Sequence, residues 1–221
     1  MREITLVSGL YRNIRGGVEE SHQSILKEVK NSLAVNPHYR DKLVCYSDSP
    51  EMAYYLKQNG CYVHKVFDDA PRDIIWDTKH KMKHWIMYHA AKEFGDVLWI
   101  DWDTYNAKPI NNAFIKHCLA TNTPKFTWIN NYWAIVNCAV YYLNRDFLDL
   151  MEKSFNAVVS EPNDELLWAS VLPSDVRKQK DYWLNDYVVN IWTEEDFNDV
   201  TDDTLFLHLK DFSMLKSGFK Q

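Results

Sequence analysis

Val97-Leu98-Trp99-Ile100-Asp101-Trp102-Asp103-Thr104 is a run of four apolar residues that ends in two acids with one residue between them. A short apolar run of this kind predicts a buried strand, with the acids at its carboxyl end. Two ionised carboxylates so close repel each other and lose solvation, so the pair implies a cation or a shared proton that offsets the cost. Mg²⁺ or Mn²⁺, held by one or two carboxylates, keeps positions open for water and for the oxygens of a diphosphate, which points to a nucleotide-linked substrate. The structural alternative is a pair of acids capping the next segment, or a turn in which Asp103 accepts backbone N–H groups before Pro109. Capping needs one short acid and leaves the second unexplained.

Outward from this stretch, the clearest helix precedes it. Met82, Trp85, Ile86, His89, Ala90 and Phe94 recur at three- and four-residue intervals, which predicts a helix over about Lys79 to Phe94 that Gly95 stops. Ile4 to Val7, Leu43 to Tyr46, Tyr62 to Val66 and Val97 to Ile100 read as strands separated by helix-length segments, the signature of a largely parallel α/β sheet. Lys125 to Ile129 and Ala134 to Leu143 are too close for an intervening helix, so mixed or antiparallel strands are expected in the second half. No repeat, low-complexity tract or long linker is visible, and residues 1–221 read as one domain. In open α/β sheets ligands bind beyond the carboxyl ends of the strands, where Asp101 and Asp103 are expected.

Composition narrows the function. The chain has 221 residues, 46% hydrophobic and 14% aromatic, enough for a sizeable core and incompatible with a disordered chain. Nine tryptophans and thirteen tyrosines lean towards a carbohydrate ligand, because flat aromatic faces suit sugars. A net charge of −6 with no Lys/Arg run argues against nucleic acid. Cys45, Cys61, Cys118 and Cys138 lack CxxC spacing and read as reduced thiols in the core. Ile4 follows Met1 too closely for a signal peptide, and no apolar run is long enough for a membrane span, so a cytoplasmic setting is expected.

Taken together, the residues resemble GT-A fold glycosyltransferases, the nucleotide-sugar-dependent enzymes. Trp99-Ile100-Asp101-Trp102-Asp103-Thr104 is similar to their DxD motif. Val136-Asn137-Cys138-Ala139-Val140-Tyr141-Tyr142-Leu143-Asn144 is similar to their Asn-x-Gly-Val strand, with Ala139 where glycine is usual. Trp183-Leu184-Asn185-Asp186-Tyr187-Val188-Val189-Asn190 resembles the helix carrying an acid or amide beside the anomeric carbon, and Leu205-Phe206-Leu207-His208-Leu209-Lys210 the closing strand whose His completes the metal shell. The resemblance covers nearly the whole chain. It implies a Rossmann-like domain with a central, mostly parallel mixed sheet flanked by helices. It also implies a Mn²⁺ (or Mg²⁺) cofactor, a nucleoside-diphosphate sugar donor, most often a UDP-sugar, and hexosyl or deoxyhexosyl transfer to a hydroxyl of a glycan or glycoprotein acceptor.

Residue by residue, the resemblance implies Asp103, Asp101 and His208 at the metal, with Asp101 acting through water or on the ribose. It places Trp102 and a basic side chain against the donor: Lys83, or Arg72, Lys79 or Lys81 in its stead. A solvated basic helix face explains any one of these equally well. Ser8 and Gly9, at the end of the first strand, would approach the base, Gly9 permitting close backbone contact; an ordinary turn is the alternative. Asn137 would bind donor-sugar hydroxyls. Lys216 follows His208 at about the spacing of the family's diphosphate-binding lysine, without the usual Gly and Lys-Pro-Trp context. Asp186 is the candidate for chemistry: if 181–192 is helical, Tyr182, Asp186 and Asn190 share one face. It would be the base of an inverting enzyme, or would stabilise or attack the oxocarbenium-like centre of a retaining one. Tyr132, Trp133 and Trp128, with Tyr182, are candidates for the acceptor side, or core aromatics.

Two other classes share parts of the pattern. A haloacid-dehalogenase-like phosphotransferase also has apolar residues before Asp-x-Asp, with the first Asp as nucleophile, but that motif normally sits on the first strand. A non-catalytic nucleotide-sugar or glycan-binding module would be favoured if Asp186 pointed away from the metal. At 221 residues the chain is near the small end for a glycosyltransferase and suits one domain of a longer enzyme, of the kind that bacteria or large DNA viruses keep in the cytoplasm.

Overall fold

The computed structural model describes residues 3–10, 14–15, 18–19, 22–40, 42–47, 50–65, 79–128, 136–158, 163–210, 212 and 214–215. The main sheet has six strands: β1 (Thr5–Leu10), β4 (Leu43–Ser47), β5 (Tyr62–Lys65), β6 (Val97–Ile100), β8 (Lys125–Trp128) and β9 (Val136–Leu143). Their order is β5-β4-β1-β6-β9-β8. The first four run parallel, and β9 is antiparallel to both β6 and β8. A parallel half and an antiparallel half therefore meet between β6 and β9. This is the mixed sheet expected from the short spacing before β9.

Helices cover both faces because the strand residues alternate. In β6, Val97 and Trp99 join the cluster under α3 (Lys79–Phe94), while Leu98 and Ile100 join the opposite cluster with Val29 and Leu33 of α1 (His22–Val35) and Met52 and Leu56 of α2 (Pro50–Gln58). On the α3 side, α5 (Leu148–Asn156) adds Met151 and Phe155, and α6 (Asp164–Ala169) adds Trp168. On the other side, α4 (Asn112–Leu119) adds Phe114 and Cys118. The α3 and β6 boundaries match the sequence reading, and Gly95 ends the helix at φ 89°, a conformation that suits glycine. All four cysteines are buried thiols and none forms a disulfide.

A second sheet has the order β10-β11-β7, built from β7 (Thr104–Asn106), β10 (Val188–Ile191) and β11 (Phe206–Leu209). Strand β10 runs parallel to β11, which is antiparallel to β7. A two-stranded pair, β2 (Ile14–Arg15) with β3 (Val18–Glu19), completes the strands described. The segment 181–192 differs from the helix read in the sequence: a 3-10 turn at Lys180–Tyr182 is followed by an irregular turn and then β10. Val188, Val189 and Ile191 explain the difference, since branched side chains favour a strand that pairs with β11. Tyr182, Asp186 and Asn190 therefore do not share a helix face.

Candidate active site

Asp101-Trp102-Asp103 is the step by which the chain leaves β6 of the main sheet and enters β7 of the second. Asp101 N–H donates to Ala139 O at 2.8 Å, Thr104 N–H to Asp101 O at 3.1 Å, and Leu209 N–H to Asp103 O at 2.9 Å. The two acids are thus fixed to different sheets. The Trp102 indole donates to Gly9 O at 2.8 Å, tying the step to the end of β1. Ser8 is buried and its hydroxyl donates to Ile100 O at 2.7 Å, which leaves its role one of joining β1 to β6.

Asp101 turns towards α3. Its Oδ1 accepts the Trp99 indole N–H at 2.6 Å and its Oδ2 the Lys83 ammonium at 2.9 Å. Lys83 is 4% exposed and donates equally, at 2.9 Å, to Oδ2 of Asp164 on α6. The Trp99 and Tyr141 rings lie 5.2 and 5.7 Å from its Nζ, so the cation rests among aromatic faces as well as carboxylates. Burial disfavours the lysine's charge, yet Asp101 and Asp164 outweigh it and hold its pKa well above the usual value. Burial likewise opposes ionisation of Asp164, but Lys83 and His80, whose Nδ1 is 3.3 Å from Oδ1, keep that carboxyl well below the usual range. Asp164 is the cluster's settled anion. Asp101 is raised by burial and by the neighbouring charges of Asp103 and Asp164, against the pull of Lys83.

Asp103 turns the other way, towards β11. Its Oδ2 lies 3.4 Å from His208 Nε2, while His208 Nδ1 lies 2.8 Å from Asn190 Oδ1 on β10. An amide oxygen only accepts, so Nδ1 carries the proton and Nε2 faces Asp103. Burial works against charge on both groups, but their mutual attraction lowers Asp103 and raises His208.

The resemblance implies a divalent cation, and Asp103 with His208 fits one. Neighbouring ligands of a small divalent ion, each about 2.1 Å away, stand about 3 Å apart, close to the observed spacing, and His208 is oriented by a partner on its far nitrogen as metal-binding histidines are. Asp101 and Asp164 share the one ammonium of Lys83, and the charge of Asp103 bears on Asp101 from the other side, an anionic surplus that a dication would relieve. No group of three His, Cys, Asp or Glu side chains among the described residues is close enough to hold a metal. Asp103 and His208 would therefore be the two protein donors, and water and substrate oxygens would have to complete the shell.

Beside Asp164, Glu165 receives the Asn137 amide N–H at 3.3 Å, and Asn137 Oδ1 accepts the Ala139 N–H at 3.0 Å. Burial, reinforced by the charge of Asp164, pushes the Glu165 carboxyl up to about 7. Sequence reading alone passes over Asp164, Glu165 and His80. Asn163 caps α6 by accepting the Leu166 N–H at 2.6 Å, so Asn163-Asp164-Glu165 before an apolar run is a helix-start signature. A six-residue helix shows no period to draw the eye.

Among the other sequence candidates, Lys83, Asp101, Asp103, Asn137 and His208 converge at the sheet's carboxyl edge. Asp186 lies in an exposed turn, and Tyr182 packs against the α3-side cluster. Arg72, Tyr132, Trp133 and Lys216 lie outside the described residues.

No protein-family model matches the chain, and no curated protein matches it by sequence. Solved structures do resemble it. One is a glycosyltransferase involved in glycosylation of the major capsid of PBCV-1, at 16% identity and TM-score 0.53, over 93% of this chain and 92% of that one. Another is mouse xyloside xylosyltransferase 1 in its apo form, at 11% identity and TM-score 0.55, over 93% and 97%. A third is the apo form of the glycosyltransferase GlyE from Streptococcus pneumoniae TIGR4, at 14% identity and TM-score 0.50; the match covers 94% of this chain and 54% of that one. At these identities the likeness is one of fold, and the fold is one that glycosyltransferases have: an α/β domain with a mixed central sheet between helices.

Proposed function

We propose that this protein is a metal-dependent glycosyltransferase that moves a sugar from a nucleoside diphosphate, UDP in the first instance, to a hydroxyl of a glycan or glycoprotein. The observation that carries the reading is the divided acidic step. Asp103 pairs with His208 on one side, and Asp101 with Lys83 and Asp164 forms a buried charge cluster on the other, both at the carboxyl edge of the sheet, where open α/β sheets take their ligands.

A bound Mn²⁺ or Mg²⁺ would offset the negative charge that develops on the departing diphosphate. Asp103 and His208 would hold it, and Asn190 keeps the imidazole in the required tautomer. Lys83, buried and positive, holds Asp101 and Asp164 in fixed positions. Glu165 is the side chain best suited to act on the reacting carbon or the acceptor proton, because a carboxyl near 7 both holds and releases a proton at working pH. Asn137 orients it. The helix that would aim Asp186 at the site does not form, so the transferase reading rests on Asp164 and Glu165 for its carboxylates. The phosphotransferase reading loses its footing, since both Asp101 oxygens are engaged by Trp99 and Lys83 and the acidic strand is the fourth in the sheet order.

Titrating UDP into the protein by calorimetry, with Mn²⁺ and then with EDTA, tests the reading. Binding only with Mn²⁺ is expected. Absence of binding in both conditions, with GDP as a second ligand, would refute it.

A further inference from the structure

We infer that Trp128 is the platform for a neutral sugar ring of the acceptor, so that the acceptor is a glycan and not a bare peptide hydroxyl. The inference rests on the transferase reading for the word acceptor, but the site itself stands on its own geometry.

Trp128 is the last residue of β8, the strand at the far edge of the sheet from β5. Strand β8 runs in the same sense as β6, because both are antiparallel to β9, so Trp128 emerges at the same sheet edge as Asp101. Along that edge lie first β1, whose Gly9 is bonded to Trp102, then β6 with Asp101, then β9 with Asn137, then Trp128. Two strand spacings, about 10 Å, separate β6 from β8. A donor laid with its nucleotide over β1 and its sugar near Asn137 and Glu165 leaves Trp128 beyond the reacting carbon, within reach of a disaccharide.

Local structure holds this indole in place. Asn185 clamps the Trp128 backbone on both sides: the Trp128 N–H donates to Asn185 Oδ1 at 2.8 Å, and Asn185 Nδ2 donates to Trp128 O at 2.9 Å. The Trp183 ring lies 6.5 Å away, tilted by 60°, and its own carbonyl is held by His117 at 2.8 Å. Leu184 N–H donates to Phe126 O at 2.7 Å, joining the same two segments one step further in. A side chain used as a strand mimic fixes an aromatic residue that nevertheless stays 37% exposed. The strand end is thus held by backbone bonds, and more than a third of the tryptophan is left to solvent.

The chemistry around it selects the ligand. Residues 182–192 contain no Lys or Arg, and the exposed side chain next to the clamp is the carboxylate of Asp186. An anionic ligand is disfavoured there. A flat apolar face in a stretch without cationic side chains matches the C–H face of a neutral pyranose.

A printed array of neutral oligosaccharides, probed with the full chain in UDP and Mn²⁺, tests this. The wild type is expected to bind hexose-containing glycans. Trp128→Ala should weaken that binding at least about tenfold, the equivalent of one aromatic contact, Trp128→Phe should keep most of it, and Asn185→Ala should weaken it several-fold. Calorimetric UDP binding should be unchanged in all three variants. Array binding unaffected by Trp128→Ala, or no array binding by a wild type that binds UDP, would overturn the inference. A wild type that fails to bind UDP but shows Trp128-dependent glycan binding would overturn the transferase reading and leave the sugar platform standing.

Discussion

Lys83 carries more of the site than any other side chain, because two carboxylates from different elements converge on one buried ammonium. Removing one partner of a buried pair leaves uncompensated charge, so Lys83→Met should destabilise the protein by about 3 kcal/mol, read from the shift in urea midpoint; a change under about 1 kcal/mol would show that Asp101 and Asp164 find water instead. His84, one residue on, gives a pH test. It is fully buried, stacks on Trp168 at 4.6 Å, and has Nδ1 2.7 Å from Ser154 Oγ. Burial lowers its pKa from 6.5 to about 3. The folded form thus resists a proton that the unfolded chain accepts. Its contribution is present above pH 6.5 and is lost as pH falls from there towards 3, by about 2 kcal/mol at pH 5. Urea titrations at pH 7 and pH 5 should show that loss in the wild type and not in His84→Phe. Glu165 has the opposite sign. Its carboxyl is raised, so the anion that would act as base forms only above about 7. For a Glu165 that acts as base, kcat/KM should fall as pH drops through 7, and Glu165→Gln should abolish that limb; an unchanged profile in the variant would remove Glu165 from the chemistry.

At the scale of elements, legibility followed the strength of each local signal. Helix α3 and strand β6 could be read to the residue because Met82, Trp85, Ile86 and Ala90 carry a full helical period and Val97 to Ile100 is an unbroken apolar run. Asp101 and Asp103 stood out as paired acids at a strand end, whereas His208 was reached only through the resemblance of its strand to a closing one, and the structure sets it beside Asp103. Asp164 and Glu165 were not, since α6 is too short to show a period and its acids look like ordinary first-turn residues. Residues 181–192 mislead for a different reason. Tyr182, Asp186 and Asn190 are spaced by four, yet Val188, Val189 and Ile191 pair with β11, and tertiary pairing outweighs a polar coincidence. Gly95 tests the junction between the two best-read elements. A Cβ there meets nothing within 4 Å, so Gly95→Ala costs only backbone strain at φ +89°. About 1 kcal/mol is expected, seen as a melting temperature lower by a few degrees; a neutral result would mean that the helix end relaxes without the left-handed turn.

Across the whole molecule, the acidic step is where the two sheets are sewn together, and this ties binding to stability. Asp101 belongs to the six-stranded sheet and its α3–α6 cover, whereas Asp103 is bonded through its carbonyl to Leu209 and faces His208 in the three-stranded sheet. A cation and diphosphate seated between them would bind only the arrangement in which both sheets are in place. By mass action, a ligand at 100 times its Kd adds about 2.7 kcal/mol to the folded state. Mn²⁺ with UDP should therefore raise the melting temperature by several degrees, and neither alone should raise it as far. Asp103→Ala removes a donor that is half exposed, so it should leave the unliganded melting temperature nearly unchanged while abolishing the ligand-induced rise. Asp186→Asn, in its exposed turn, should behave as the wild type both in that rise and in transfer. A full rise in Asp103→Ala would show that the metal and diphosphate bind elsewhere, and loss of transfer in Asp186→Asn would return the chemistry to the turn before β10.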